Sequence, residues 1–129
     1  MEFNLIAVPS ELPGGLASNR SGHFGHCELF TLVSTRGGRA GEVSLLANPP
    51  HGAGGCLAPI GLLRERQVDA IVVGGVGKRP LQAMGEAGIA VLFAPMNEYP
   101  TVGAAVEGVL QAKLPRMALQ QACTGHDCH

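Results

Sequence analysis

An α/β domain with a mixed sheet of about five strands is the fold class this 129-residue chain predicts. Three observations point to it. Two strand-like runs lie close together early in the chain, joined by a short glycine-containing connection. Two aliphatic runs, at 68–73 and 89–93, each lead into a helix-sized segment, and proline- and glycine-rich stretches separate these elements. Two successive strand-to-helix units after an antiparallel hairpin put parallel and antiparallel strands in one sheet, with helices on its faces.

Taken in order, residues 3–8 are apolar and partly β-branched and stop at Pro9, which predicts a first, largely buried strand. Residues 9–25, rich in glycine, proline and serine, read as an exposed loop. Residues 28–34 and 40–47 are strands joined through Thr35-Arg36-Gly37-Gly38-Arg39, an antiparallel hairpin. Adjacent prolines and clustered glycines in Asn48-Pro49-Pro50-His51-Gly52-Ala53-Gly54-Gly55-Cys56 exclude helix and central strand, leaving a second long loop. Leu57, Ile60, Leu62 and Leu63, followed by Arg64, Glu65 and Arg66, give a first helix that tolerates Pro59 in its opening turn. The run 68–73, halted by Gly74-Gly75, is a strand buried on both faces. Residues 80–87 form a second helix with Gly88 at its C-cap, 89–93 the next strand, and 101–114 a third helix with Thr101 as N-cap. Beyond Pro115 the pattern fades. The expected organisation is one domain over 1–114 and a flexible His/Cys-rich tail over 115–129.

Composition narrows the function. Hydrophobic residues at 46% and charged residues at 15% supply one sizeable core. Aromatics at 4%, no Trp and a net charge of −1 deprive the chain of both the stacking surface and the cationic excess that nucleic acid requires. No apolar run approaches the roughly 20 residues needed to cross a bilayer. The N-terminal stretch lacks the pattern of a signal peptide, so a cytoplasmic protein is expected. The four cysteines could pair as two disulfides in an oxidising compartment, but histidines beside them favour reduced thiols and metal.

Four segments carry candidate chemistry. Ser21-Gly22-His23-Phe24-Gly25-His26-Cys27 sets two imidazoles and a thiol among glycines, donors suited to a soft metal or metal sulfide; such a cluster also occurs as an incidental loop. Cys56, behind Gly54 and Gly55 at the start of the first helix, is either a soft ligand favoured as thiolate by the helix dipole or a small buried hydrophobe. Gly74-Gly75-Val76-Gly77-Lys78-Arg79-Pro80 lies between strand and helix, where free amides face an anion; it is alternatively a turn that only fits helix against sheet. It is not a Walker A loop, because Val72 stands where the first glycine belongs and Arg79 follows Lys78. Nor is it a dinucleotide fingerprint, since Pro80 replaces the third glycine. Finally, Cys123, His126, Cys128 and His129 make the tail dense enough in donors to take zinc, copper or nickel. Catalysis finds less support: no residue is placed to orient His51 or His23 as a base for Cys56, and Glu65, Asp69, Glu86, Glu98 and Glu107 fall on expected helix surfaces or element ends.

In order, Ser21-Gly22-His23-Phe24-Gly25, Asn48-Pro49, Gly54-Gly55-Cys56-Leu57-Ala58-Pro59, the stretch 68–77 and Ala87-Gly88-Ile89 resemble the dinitrogenase iron-molybdenum cofactor biosynthesis family, over about residues 3–113. The resemblance implies a three-layer α/β/α domain with a ribonuclease-H-like strand arrangement. It also implies a non-catalytic role in binding, carrying or assembling a metal-sulfide cluster: iron-molybdenum-sulfur, iron-sulfur, or the molybdenum-copper sulfide held by the orange proteins of that family. It places the family's loop histidine on His23, its Phe-Gly on Phe24 and Gly25, its loop cysteine on Cys56 and its glycine turn on Gly74, Gly75 and Gly77. The expected cargo site therefore draws on His23, Phe24, Gly25, Gly54, Gly55, Gly75, Val76, Gly77, Lys78 and Arg79. Candidate metal ligands are His23, His26, Cys27 and Cys56, and a cluster donor or acceptor protein is the expected partner. His26, Cys27 and the tail lie outside the shared pattern. The competing reading is a zinc, copper or nickel protein whose main site is the tail; a third, a hydrolase, rests on the ribonuclease-like fold alone.

Overall fold

The computed structural model describes residues 3–22, 24, 27–35, 38–48 and 58–117. In chain order the elements are Leu5–Ser10 (β1), Leu29–Ser34 (β2), Val43–Ala47 (β3), Ala58–Glu65 (α1), Ala70–Val73 (β4), Lys78–Glu86 (α2), Ala90–Phe93 (β5) and Val102–Leu110 (α3). The strands form one sheet in the order β3-β2-β1-β4-β5. β2 pairs antiparallel with both β1 and β3, whereas β4 pairs parallel with both β1 and β5. This is the expected mixed, ribonuclease-H-like sheet, half hairpin and half strand-helix-strand.

Alternation along the strands builds two cores, one on each face. Ile6, Val8, Ala70, Val72, Leu92 and Ala94 pack with Val102, Ala105 and Val106 of α3. Ala7, Ile71, Val73 and Val91 face the other way and pack with Ile60 and Leu63 of α1 and Leu81 and Met84 of α2. Every residue of β4 is buried, as a strand covered on both faces requires.

All three helices end alike. After α1, Val68 N–H donates to the Leu63 carbonyl and Gln67 N–H to that of Arg64. After α2, Ile89 donates to Met84 and Gly88 to Gly85, and after α3, Lys113 donates to Gly108 and Ala112 to Val109. Each is a Schellman ending with a left-handed residue at the turn: Gln67 (φ 63°), Gly88 (φ 81°) and Ala112 (φ 56°). Only Gly88 advertises this in the sequence. The stop at Ala112 makes α3 shorter than the expected 101–114. The chain then returns beside β5, Phe93 N–H donating to the Pro115 carbonyl and Met117 N–H to that of Val91. Residues 115–117 are thus held on the sheet; the rest of the expected tail, 118–129, lies outside the described residues.

β1 runs through Pro9 to Ser10 instead of stopping before the proline. Odd-numbered backbone groups of β1 face β4: the Leu5 carbonyl accepts from Asp69 N–H, and the Pro9 carbonyl from Ser21 N–H. The β1–β4 ladder ends at Ala7↔Ile71, so the N–H that proline lacks falls where no ladder partner stands.

Candidate functional site

The register aligns Ser10, Leu29 and Ala47 across three strands. β1, β3, β4 and β5 therefore all finish at one edge of the sheet. The chain leaves that edge at Glu11, Asn48, Gly74 and Ala94, so each loop singled out in the domain starts from it. In open α/β sheets this is where ligands bind.

Three residues tie the first loop down. Phe24 is 2% exposed and packs on Phe30, ring centroids 5.8 Å apart at 55°. Cys27 is buried in the same apolar cluster, which also contains Val76 of the glycine turn. Its thiol donates to the Phe24 carbonyl at 3.5 Å, and Asn48 Nδ2 donates to the Cys27 carbonyl at 2.9 Å, joining the base of the second loop to the first. Burial pushes the Cys27 thiol up to about 11. Cys27 is thus a protonated core thiol, and ligation by it would require a thiolate to form against that burial. Phe24, likewise, acts as an anchor for the loop. His23, Gly25, His26, Gly54, Gly55 and Cys56 of the expected site, and Cys123, His126, Cys128 and His129 of the tail, lie outside the described residues. Among the described residues no three His, Cys, Asp or Glu side chains converge as a metal set.

The glycine turn is described in full. Gly74 packs tightly, because a Cβ there would meet Met96 Cγ at 2.8 Å and the Ala94 carbonyl at 3.6 Å. Val76 fills the core. Gly77 is the extended N-cap of α2 and offers no side-chain cap. Leu81 N–H donates to its carbonyl, and Pro80 has no N–H, so the first-turn amides of Lys78 and Arg79 remain without a described acceptor. Both of those side chains are exposed. α3 starts differently. Val102 N–H donates to the Ser18 carbonyl, Gly103 N–H to that of Leu16, and Ala104 N–H to Thr101 Oγ1. Of the two helices that start at this edge with described N-termini, α3 is capped, whereas the first-turn amides of α2 meet no acceptor among the described residues, the arrangement that suits an anion.

The strap that caps α3, residues 16–21, carries a residue the sequence did not single out. Arg20 is 2% exposed. Its Nη1 donates to the carbonyls of Ala94 at 3.0 Å and Tyr99 at 2.9 Å, while Nε and Nη2 have no partner. Burial pushes its guanidinium down to about 10, which leaves it charged at neutral pH. A concavity on the α2–β5 flank, lined by Leu81, Gln82, Gly85, Ile89 and Met117 among others, contains none of the expected site residues.

The sequence profile of the dinitrogenase iron-molybdenum cofactor family matches residues 4–112. The chain belongs to that family. Among solved structures, the apo form of the orange protein from Desulfovibrio gigas is 29% identical, with a TM-score of 0.74 over 91% of this chain and 95% of that one. A candidate NifB protein from Thermotoga is 24% identical at a TM-score of 0.69, over 88% and 92% of the two chains. A candidate dinitrogenase from Methanocaldococcus jannaschii shares the fold at 14% identity and a TM-score of 0.71, over 92% and 98%. No curated protein sequence gives a significant match. The fold is thus shared with these structures while the sequences diverge widely. No helix among the described residues is long and apolar enough to cross a membrane.

Proposed function

We propose that this protein binds and carries an anionic metal-sulfide cluster, containing molybdenum, molybdenum with copper, or iron, as a non-catalytic carrier or assembly factor. The observation that carries the reading is family membership over residues 4–112 together with the likeness to the orange protein across nearly both chains. The loop-bearing sheet edge supports it physically: an anionic cargo fits the amides of Lys78 and Arg79, which have no acceptor among the described residues, with the Arg79 side chain as counter-charge. His23, His26 and Cys56 are the proposed ligands. Cys27 joins them only if cargo draws off its proton. Gly25, Gly54, Gly55, Gly75 and Gly77 would let backbone approach the cargo closely. A separate protein is the proposed donor or acceptor of the cluster.

His23→Ala and Cys56→Ala each test the assignment. Metal and acid-labile sulfide per chain should fall in both variants, with far-UV circular dichroism unchanged. Occupancy equal to that of the unsubstituted protein would remove those residues from the site.

A further inference from the structure

A buried guanidinium with two idle donors is an expensive arrangement unless something completes it. Desolvation penalises the charge, and each unmade hydrogen bond adds to that penalty. Arg20 is in this position, and no carboxylate pairs with it among the described residues. The idle donors are not scattered. Nη1 is committed to two backbone carbonyls, and what remains, Nε and Nη2, is one whole edge of the planar group: two parallel N–H bonds in the arrangement that grips a pair of anionic atoms side by side.

The backbone holds that edge in place from both sides. Arg20 N–H donates to the Pro100 carbonyl at 3.0 Å, Ser21 N–H to that of Pro9 at 2.8 Å, and Asn19 bridges Thr101. The head lies at the loop-bearing edge, since the Ala94 carbonyl it contacts also borders Gly74 at the start of the glycine turn. A merely structural tie between the strap and the β5–α3 connection would need only Nη1.

We propose that Arg20 is an anion clamp, whose Nε–Nη2 edge grips two sulfur or oxygen atoms of an anionic cargo. The cargo's identity as a metal sulfide rests on the function proposed above; the clamp itself asks only for a thio- or oxoanion. Because the head is covered, the cargo reaches it when the strap yields, and the bonds then form away from water, where they are strongest.

The test titrates the full chain anaerobically with tetrathiomolybdate, and in parallel with molybdate and phosphate, following visible absorption and the thermal midpoint. Arg20→Lys keeps a charge and a donor to the carbonyls but lacks the fork; Arg20→Met lacks both. Thiomolybdate should raise the midpoint of the unsubstituted protein, and its dissociation constant should rise by about tenfold or more in Arg20→Lys and further in Arg20→Met. Equal affinity in all three proteins overturns the clamp while sparing the cluster reading. Arg20-dependent stabilisation by molybdate or phosphate, with none by thiomolybdate, sustains the clamp and overturns the cluster reading. If no anion binds the unsubstituted protein, both fall. Should Arg20→Met fail to fold, the Arg20→Lys comparison decides alone.

Discussion

At the Cys27 thiol, burial overrides a sequence-level invitation to bind metal. The residue stands beside two histidines in a glycine-rich loop, yet its side chain lies in the cluster with Phe24 and Phe30 and donates to the Phe24 carbonyl. Its pKa is raised from 9.0 to about 11, so the thiol stays protonated in the fold where an unfolded chain would ionise. Its contribution to stability is therefore complete below pH 9 and lost as pH rises through about 11, an effect of about 3 kcal/mol at most. Alkylation followed by peptide mapping should find Cys27 unmodified at pH 8 in the folded protein and modified in urea. Rapid modification at pH 8 without denaturant would show that the thiol is open. Arg20 is the opposite case, invisible in the sequence because a lone arginine in a polar loop reads as solvated. Its guanidinium is bonded to carbonyls 74 and 79 residues away, which no local pattern announces.

Elements were legible where their signals are local. The hairpin showed in its glycine connection, β4 in its unbroken aliphatic run, the end of α2 in Gly88 and the start of α3 in Thr101, whose Oγ1 accepts from Ala104 N–H. Boundaries set by long-range pairing were not. Pro9 reads as a stop, but the neighbouring ladder ends before it, and Ala112 and Gln67 take the left-handed conformation without being glycine. The turn between β1 and the strap makes a quantitative test. Gly14 has φ 85°, and a Cβ there would lie 2.8 Å from Leu45 Cδ2 and 2.9 Å from Leu29 Cδ1, whereas Gly15, at φ 96°, has nothing within 4 Å. Gly14→Ala should cost about 1–3 kcal/mol, read as a lower urea midpoint at unchanged slope, and Gly15→Ala should cost less because it adds strain without a clash. Equal losses at both positions would mean that packing against β2 and β3 contributes nothing at Gly14.

On the scale of the whole molecule, fold and chemistry separate. A chain only 14% identical retains the fold at a TM-score of 0.71, so the sheet alone does not choose a cargo. In the proposed function that choice falls to the loops at one edge, and the segments that carry His23, His26 and Cys56 were legible as residue types while their mutual geometry was not, because glycine and proline leave local sequence with no rule for it. The competing reading assigns the metal to the tail on donor density alone. Both issues meet in one measurement: anaerobic purification of the full chain and of a variant ending at Met117, with molybdenum, copper, iron, zinc, nickel and acid-labile sulfide determined beside the visible spectrum. A coloured protein holding molybdenum, copper or iron with sulfide in both forms is the predicted result. Colourless protein with zinc or nickel, no sulfide, and metal lost on truncation would contradict it.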